Sequence, residues 1–411
     1  MKKWIPFCLV TLAFELGAKW RGHLEFNICE WYNDLVRRIA FYKENRYMKQ
    51  LNKKIKVGIL GGTGMVGQRF VTILNDHPWF EVTTIAASSK SAGKTYENAV
   101  KGKWKMPTPI PGNVKNMKVL DVNDIEKISN EVDFVFSAVD MSKDEIRAIE
   151  EAYARTETPV VSNNSAHRWT PDVPMVIPEI NHKHYEVIKY QKRRLGTTSG
   201  FIAVKPNCSI QGYVPALAAW REFKPYQVNV CTYQAISGAG KTFAEWPEMV
   251  ENVIPYIGGE EEKSELEPLK IFGHLEHEQI VGSKEMIVSA QCFRVPVLNG
   301  HTAAVSVKFG EKVSKETLID KLNEYEGFPQ KADLPNAPKQ FIKYIPDDDR
   351  PQVKLDVDFE RGFGVSIGRL REDNLFDYKF VGLAHNTIRG AAGGAVLSAE
   401  ALVELGYIAS K

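Results

Sequence analysis

Two residues in this sequence have the chemistry for covalent catalysis with proton transfer: Cys208, in Lys205-Pro206-Asn207-Cys208-Ser209, and His301, in Asn299-Gly300-His301. A cysteine reacts as its thiolate, and a helix start or a nearby cation favours that form. Pro206 and Asn207 precede Ile210-Gln211-Gly212-Tyr213-Val214-Pro215-Ala216-Leu217-Ala218-Ala219-Trp220, whose apolar residues recur at roughly helical spacing. That spacing predicts a helix starting at Cys208, with free N–H groups and a partial positive charge beside the sulfur. Against this stands the ordinary fate of a free cysteine, which is to be a small buried hydrophobe. His301 and Arg294 flank a tight corner between two alternating runs, where an imidazole can carry a proton and a guanidinium can grip a carboxylate. Singly, either residue type serves structure as often as chemistry.

Composition sets the frame for these candidates. A chain of 411 residues has room for two or three domains with ample cores. Lysine and arginine number 53 against 51 acidic residues, a net charge of +2, so no general field attracts nucleic acid or a charged membrane. An anionic ligand then needs a local basic site. The five cysteines, Cys8, Cys29, Cys208, Cys231 and Cys292, are scattered, with no C-x-x-C pair or histidine cluster. Neither a disulfide framework nor a metal site is expected, and a reducing, cytoplasmic compartment suits a reactive thiol.

Residues 1 to 47 differ in character from the remainder. Lys2-Lys3 and the apolar run Trp4 to Phe14 resemble a short signal-peptide core, but Glu15 interrupts it, Leu16-Gly17-Ala18 is a poor cleavage site, and the run is too short to span a bilayer. Trp31 to Tyr47 is aromatic and basic, a composition suited to an amphipathic or partner-binding helix. Met48 opens a Lys-rich stretch just ahead of a clear strand, the pattern of a translation start. Residues 1–53 are therefore expected to form an N-terminal extension, either not native to the folded protein or disordered.

The elements that must position the chemistry begin at Ile55. Lys56-Val57-Gly58-Ile59-Leu60 reads as a buried strand, Gly61-Gly62-Thr63-Gly64-Met65-Val66-Gly67 as a tight turn, and Gln68 to Leu74 as a helix. This is a dinucleotide fingerprint in its proper βα context. Glycine lets the backbone approach a pyrophosphate, whose charge meets the amides of the helix N-terminus. The next strand, Glu81 to Ala87, ends in Ser88-Ser89-Lys90-Ser91, where an NAD site places an acidic residue for the ribose hydroxyls. Hydroxyls and a lysine suit a 2′-phosphate instead, so NADP is the expected cofactor; an ordinary solvated turn has the same composition.

Strands and helices then alternate: Lys118 to Leu120, a helix near Asp124 to Ser129, the strand Val132 to Ala138, the helix Asp144 to Ala154, and the strand Pro159 to Ser162. Such alternation predicts a parallel, doubly wound sheet with ligands at the carboxyl ends of its strands. Arg168, in the loop after Ser162-Asn163-Asn164-Ser165, is there a candidate anion clamp, or else a surface arginine. Beyond Cys208 the pattern changes. Val228 to Ile236 alternates as a strand into the flexible turn Ser237-Gly238-Ala239-Gly240, with Gln234 near its end to orient a carbonyl. Gly259 to Pro268 is acidic and reads as a solvated face. Further strands are expected over Ile287 to Val297, Thr302 to Phe309, Val353 to Val357, Gly364 to Arg369 and Phe376 to Leu383. Ala384 to Glu400 is a small-residue helix entry able to pack closely, returning to the nucleotide domain.

Taken together and in order, these motifs resemble the archaeal and fungal branch of the aspartate-semialdehyde dehydrogenases, from about Lys54 to the end. The resemblance rests on Gly61 to Gly67, Ser162-Asn163-Asn164-Ser165 with Arg168, Pro206-Asn207-Cys208-Ser209, Thr232-Tyr233-Gln234-Ala235 with Ser237-Gly238, Glu260-x-x-Lys263, Arg294-Val295-Pro296-Val297-x-x-Gly300-His301, and Asn386-Thr387-Ile388-Arg389-Gly390-Ala391-Ala392-Gly393. It implies a Rossmann-type NADP-binding domain over residues 54–206, completed by a C-terminal helix over 384–411. It further implies an α+β catalytic and dimerisation domain with a mainly antiparallel sheet over 207–383, in a homodimer or homotetramer.

The implied reaction is NADPH-dependent reductive dephosphorylation of L-4-aspartyl phosphate through a cysteine thioester, in lysine, threonine and methionine biosynthesis. Cys208 would be the nucleophile beside Asn207, His301 (protonated to favour the thiolate) the acid/base, and Gln234 the group orienting the acyl carbonyl. Arg294 would hold the substrate carboxylate and Glu260 its ammonium, while Arg168 and Lys263 would hold phosphate. Three consecutive glutamates leave the register of Glu260 and Lys263 to the fold. Gly61, Thr63, Gly64, Met65, Val66, Gly67, Ser88, Ser89, Lys90, Ser237 and Gly238 would bind the nucleotide, with Asn386 and the glycines after it near its nicotinamide. N-acetylglutamyl-phosphate reductase and malonyl-CoA reductase share this logic, and a non-catalytic NADP-binding redox sensor using Cys208 is the alternative from another class.

Overall fold

The computed structural model describes residues 54–411; the extension expected over residues 1–53, with Cys8 and Cys29, lies outside the described residues. Six short strands, β1 (Ile55–Leu60), β2 (Phe80–Ala87), β3 (Leu120–Asp121), β4 (Phe134–Ser137), β5 (Val160–Ser162) and β6 (Ile202–Val204), form one parallel sheet in the order β3-β2-β1-β4-β5-β6. Strands β4, β5 and β6 are buried on both faces, which is why they read as unbroken apolar runs rather than alternations. Strand order reverses between β1 and β4, the kind of switch point at which open α/β sheets bind ligands. The glycine turn after β1 leads there into helix α1 (Met65–Ile73). Helix α2 (Lys143–Arg155) starts on a reciprocal cap in which Ser142 and Glu145 satisfy each other's backbone N–H groups.

The second sheet uses β7 (Pro225–Gln234), β10 (Ile287–Arg294), β11 (His301–Phe309), β12 (Ile342–Ile345), β13 (Val365–Glu372) and β14 (Tyr378–Ala384), in the order β10-β7-β11-β14-β13-β12; β8 (His274–Glu276) and β9 (Gln279–Val281) make a separate small hairpin. Its centre is antiparallel, whereas the outer pairs β10/β7 and β12/β13 are parallel. Parallel neighbours need a crossover, and helix α3 (Glu260–Ile271) provides the one between β7 and β10. Because β10 is an edge strand, two of its N–H groups would lack partners; Glu261 accepts from Cys292 N and Glu265 from Ala290 N.

Two local expectations change in the fold. Val353–Asp356 is a short helical turn, not a strand, because Asp356 accepts from Gln352 N (2.7 Å) and pairs with Arg350, closing the chain on itself. An alternation of only three apolar residues there is too short to fix a period. The α-helix expected to start at Cys208 is also replaced. Ser209–Gly212 forms a single tight turn, and an α-helix follows only over Val214–Ala219. Pro215 has no N–H to continue a ladder through Gln211, so the two cannot merge.

The C-terminal helix α4 (Gly393–Glu404) is buried along most of its length. Ala395, Val396 and Ala399 share a core with Val57, Ile59, Phe134 and Phe136 of the first sheet. A second core runs without interruption from Val135, Val160 and Ile202 into Val230, Val305 and Ile367 of the second sheet. Cys208 lies on the chain that crosses from one sheet to the other.

Candidate active site

Lys205 to Cys208 leaves the carboxyl end of β6, and hydrogen bonds rather than a helix shape the loop. Asn207 Oδ1 accepts from Ser209 N (2.7 Å), and Asn207 N donates to Glu267 Oε2 (2.5 Å). Asn207 Nδ2 donates to Glu260 Oε1 (3.1 Å), and the hydroxyls of Ser209 and Ser264 meet at 3.0 Å. Residues 260, 264 and 267 fall on one face of α3. On that face Glu260 and Glu267 meet the cysteine loop, whereas Glu261 turns to β10 and Glu262 is exposed.

The ends of β7, β10 and β11 bring in the remaining groups. His301, at the start of β11, places Nε2 3.3 Å from Cys208 Sγ. Its Nδ1 accepts the Ala235 N–H (3.0 Å), while the Ala235 carbonyl accepts from Arg294 Nη1 (2.7 Å). One backbone residue after β7 thus holds both the imidazole and the guanidinium. Gln234 Nε2 lies 3.3 Å from Glu260 Oε2 and 3.2 Å from Thr232 Oγ1. Gly238 leaves space over the pair, since a Cβ there would stand 3.0 Å from Arg294 Nη1 and 3.1 Å from His301 Cε1. Asn386 secures the corner, accepting from Gly300 N and donating to Ser237 Oγ, each at 2.8 Å. Gly390 packs against the cysteine; a Cβ there would lie 2.6 Å from Cys208 Cβ and 3.1 Å from its Cα.

The electrostatics depart from expectation. Burial pushes the Cys208 thiol up and the Glu260 carboxylate adds to this, against the pull of Lys205, Arg168 and Arg294. His301 is pushed down to about 3 by burial, then by Arg294. With Nδ1 occupied as an acceptor, the neutral ring carries its proton on Nε2 and presents N–H, not imidazolium, to the sulfur. The helix-start amide expected beside the thiol is likewise committed, since Ser209 N is held by Asn207. Arg168 is buried in an ion pair with Glu267 (2.8 Å) and donates Nε to the Lys205 carbonyl. Lys263 pairs with Glu260 at 2.6 Å, so the two residues form one unit.

Several groups of the site have no assignment from the sequence. Glu267 could have been found seven positions along the same helix face as Glu260, and Lys205 directly precedes the Pro206-Asn207-Cys208 motif. Arg389 and Glu179 make a buried bidentate pair (2.6 and 2.7 Å) that no local pattern announces.

The nucleotide turn passes a steric test. Gly61 has φ +81°, and a Cβ there would lie 2.2 Å from Ala138 O after β4; at Gly67 one would lie 2.3 Å from Gly61 O. Gly64 caps α1 with no side-chain hydrogen bond, leaving the helix N–H groups open to an anion. Asn163 Oδ1, after β5, is buried without a hydrogen-bond partner, and Ser88, Ser89 and Lys90 are exposed at the end of β2. Open amides, an unused acceptor and exposed hydroxyls beside a cation fit a phosphorylated dinucleotide. Among the described residues no cluster of His, Cys, Asp or Glu could hold a metal ion, and no helix is long and apolar enough to cross a membrane.

A family model described as "Semialdehyde dehydrogenase, NAD binding domain" matches residues 56–188, and one described as "Semialdehyde dehydrogenase, dimerisation domain" matches residues 216–389. Fold and sequence thus define a semialdehyde dehydrogenase. The aspartate-semialdehyde dehydrogenase of Schizosaccharomyces pombe is 44% identical over 361 residues, covering 86% of this chain and 99% of the relative. That of Methanothermobacter thermautotrophicus is 40% identical over 354 residues, covering 85% and 99%. A crystal structure of the Candida albicans enzyme with NADP matches with a TM-score of 0.78 at 39% identity, over 87% of this chain and 100% of that one. The chain belongs to the aspartate-semialdehyde dehydrogenase family.

Proposed function

We infer that this protein is an NADPH-dependent aspartate-semialdehyde dehydrogenase of amino-acid biosynthesis, which converts L-4-aspartyl phosphate to L-aspartate 4-semialdehyde and phosphate. The observation that carries the reading is the 3.3 Å approach of Cys208 Sγ to His301 Nε2, beside Arg294 and Glu260 and on the chain joining the two sheets. The thiolate of Cys208 attacks the acyl carbon; a C–S bond forms and phosphate leaves with the C–O electron pair. Gly61 to Gly67 would hold the pyrophosphate of NADPH, and Ser88, Ser89 and Lys90 its 2′-phosphate. When bound, the cofactor would supply the hydride that takes the thioester to the aldehyde level; the C–S bond then breaks with its electron pair returning to Cys208, which releases the aldehyde and restores the thiolate. His301 Nε2–H stabilises negative charge on the reacting oxygen, as a neutral imidazole can. Gln234 orients the carbonyl. Arg294 receives the substrate carboxylate and Glu260 its ammonium. Lys263 and Arg168, each held by a carboxylate partner, donate hydrogen bonds to the phosphate.

The second sheet's outer face carries Tyr233 and Ile287, which are 39% and 70% exposed. We assign this face to a homo-oligomer contact, which the dimerisation-domain match supports. The functional test is NADP reduction with aspartate semialdehyde. Activity that requires inorganic phosphate is expected; activity only with a CoA thioester would overturn the substrate assignment.

A further inference from the structure

We propose that the buried ammonium of Lys205 is the counter-charge of the Cys208 thiolate, with His301 serving that sulfur as a neutral Nε2–H donor. The proposal rests on Cys208 being the nucleophile and adds a positioning residue to it. Lys205 is 3% exposed, and its Nζ donates to the carbonyls of Pro206 and Gly390. Pro206 lies two residues before Cys208, and Gly390 is the residue pressed onto the Cys208 side chain. The ammonium is thus tied to the chain on both sides of the cysteine, and among the described residues it forms no ion pair.

The charged groups that face Lys205 are Arg168, Glu267, Arg389 and Cys208, with His301 across the site. Arg168 and Glu267 neutralise one another, as do Arg389 and Glu179. Lys205 is left as a cation bound only to carbonyl oxygens, a costly state that an adjacent anion relieves. Ionisation of Cys208 provides that anion. His301 does not serve as the cation, because Ala235 N–H occupies its Nδ1 and a second ring proton would be forced against that donor. Burial, then Arg168, brings Lys205 down to about 7, and burial, then Glu260, pushes the Cys208 thiol up, so each group is held toward its neutral form unless the other stands charged beside it.

The test is the pH dependence of iodoacetamide alkylation of the full chain, read at the Cys208 peptide by mass spectrometry. Lys205→Met is expected to raise the Cys208 midpoint by about one unit or more, roughly a tenfold smaller thiolate fraction at pH 7, and His301→Ala to raise it by less than half as much. A Lys205→Met midpoint equal to wild type, or a larger shift in His301→Ala, overturns the proposal. Should Lys205→Met fail to fold, His301→Ala decides alone: a rise of about one unit or more assigns the counter-charge to the imidazole. Thermal unfolding gives an independent reading. A charge partner that carries a desolvation cost predicts that Lys205→Met melts no lower than wild type at pH 7, whereas a mere tether predicts a clear loss. No acyl phosphate enters these measurements, so their failure is distinct from failure of the phosphate-dependent assay.

Discussion

The nucleotide turn and the thiol site are built in opposite ways. The turn comes from one contiguous stretch, β1 through α1, and offers backbone N–H groups; its requirement is steric, glycine where a Cβ would meet Ala138 O or Gly61 O. The thiol site draws on Lys205 to Ser209, Gln234 to Gly238, α3, Arg294 to His301 and Asn386 to Gly390, and offers side chains. Its requirement is electrostatic, because buried charges must cancel across the core, as Arg168 with Glu267 and Arg389 with Glu179 do. A backbone site therefore fails by crowding and a side-chain site by an unpaired charge.

That contrast can be broken by substitution. The largest effect is expected from Cys208→Ser, which should lower reductive turnover by at least roughly 10⁴-fold while NADPH affinity, followed by fluorescence titration, stays within about twofold. Substantial residual turnover would remove the thioester from the mechanism. Next is Glu267→Gln, which strips the partner from buried Arg168 and weakens the anchor of Asn207 N. Urea unfolding should show a loss of about 3–5 kcal/mol; a loss under about 1 kcal/mol would mean that the pair behaves as a surface ion pair. Gly61→Ala forces a side chain to φ +81° against Ala138 O and should cost about 1–3 kcal/mol, with weaker NADPH binding but an unchanged alkylation profile at Cys208. If alkylation changes too, the two sites are not built independently. The smallest effect is expected from exposed Lys90→Ala, which should weaken NADPH about tenfold, or ~1.4 kcal/mol, and NADH hardly at all. Equal weakening of both would detach Lys90 from the 2′-phosphate.

How much could be read in advance follows the same division. Strand β1, the glycine turn and α1 were readable because burial on both faces, turn chemistry and helix period are local properties of the chain. The order of β and α elements likewise implied the parallel sheet. The short turn at Val353–Asp356 was not readable, since one carboxylate returning to Gln352 N outweighed a brief apolar alternation. Nor was the turn after Cys208, where Pro215 divides a run that looked like one helix.

The identities of Cys208, His301, Arg294 and Gln234 as candidates came from residue type and spacing, and the family match came from the order of their motifs. What those residues do to one another did not. Cys208 and His301 are separated by 93 positions, Arg168 and Glu267 by 99, and Arg389 and Glu179 by 210. Only the packing of α3 against the cysteine loop decided that Glu260, not Glu261 or Glu262, meets that loop, that Arg168 already has a carboxylate, and that Lys205 has none among the described residues. Local sequence carries backbone permission and hydrophobic period, which depend on near neighbours. Protonation state and charge pairing depend on burial and on groups brought together from across the fold, and those exist only in the folded core.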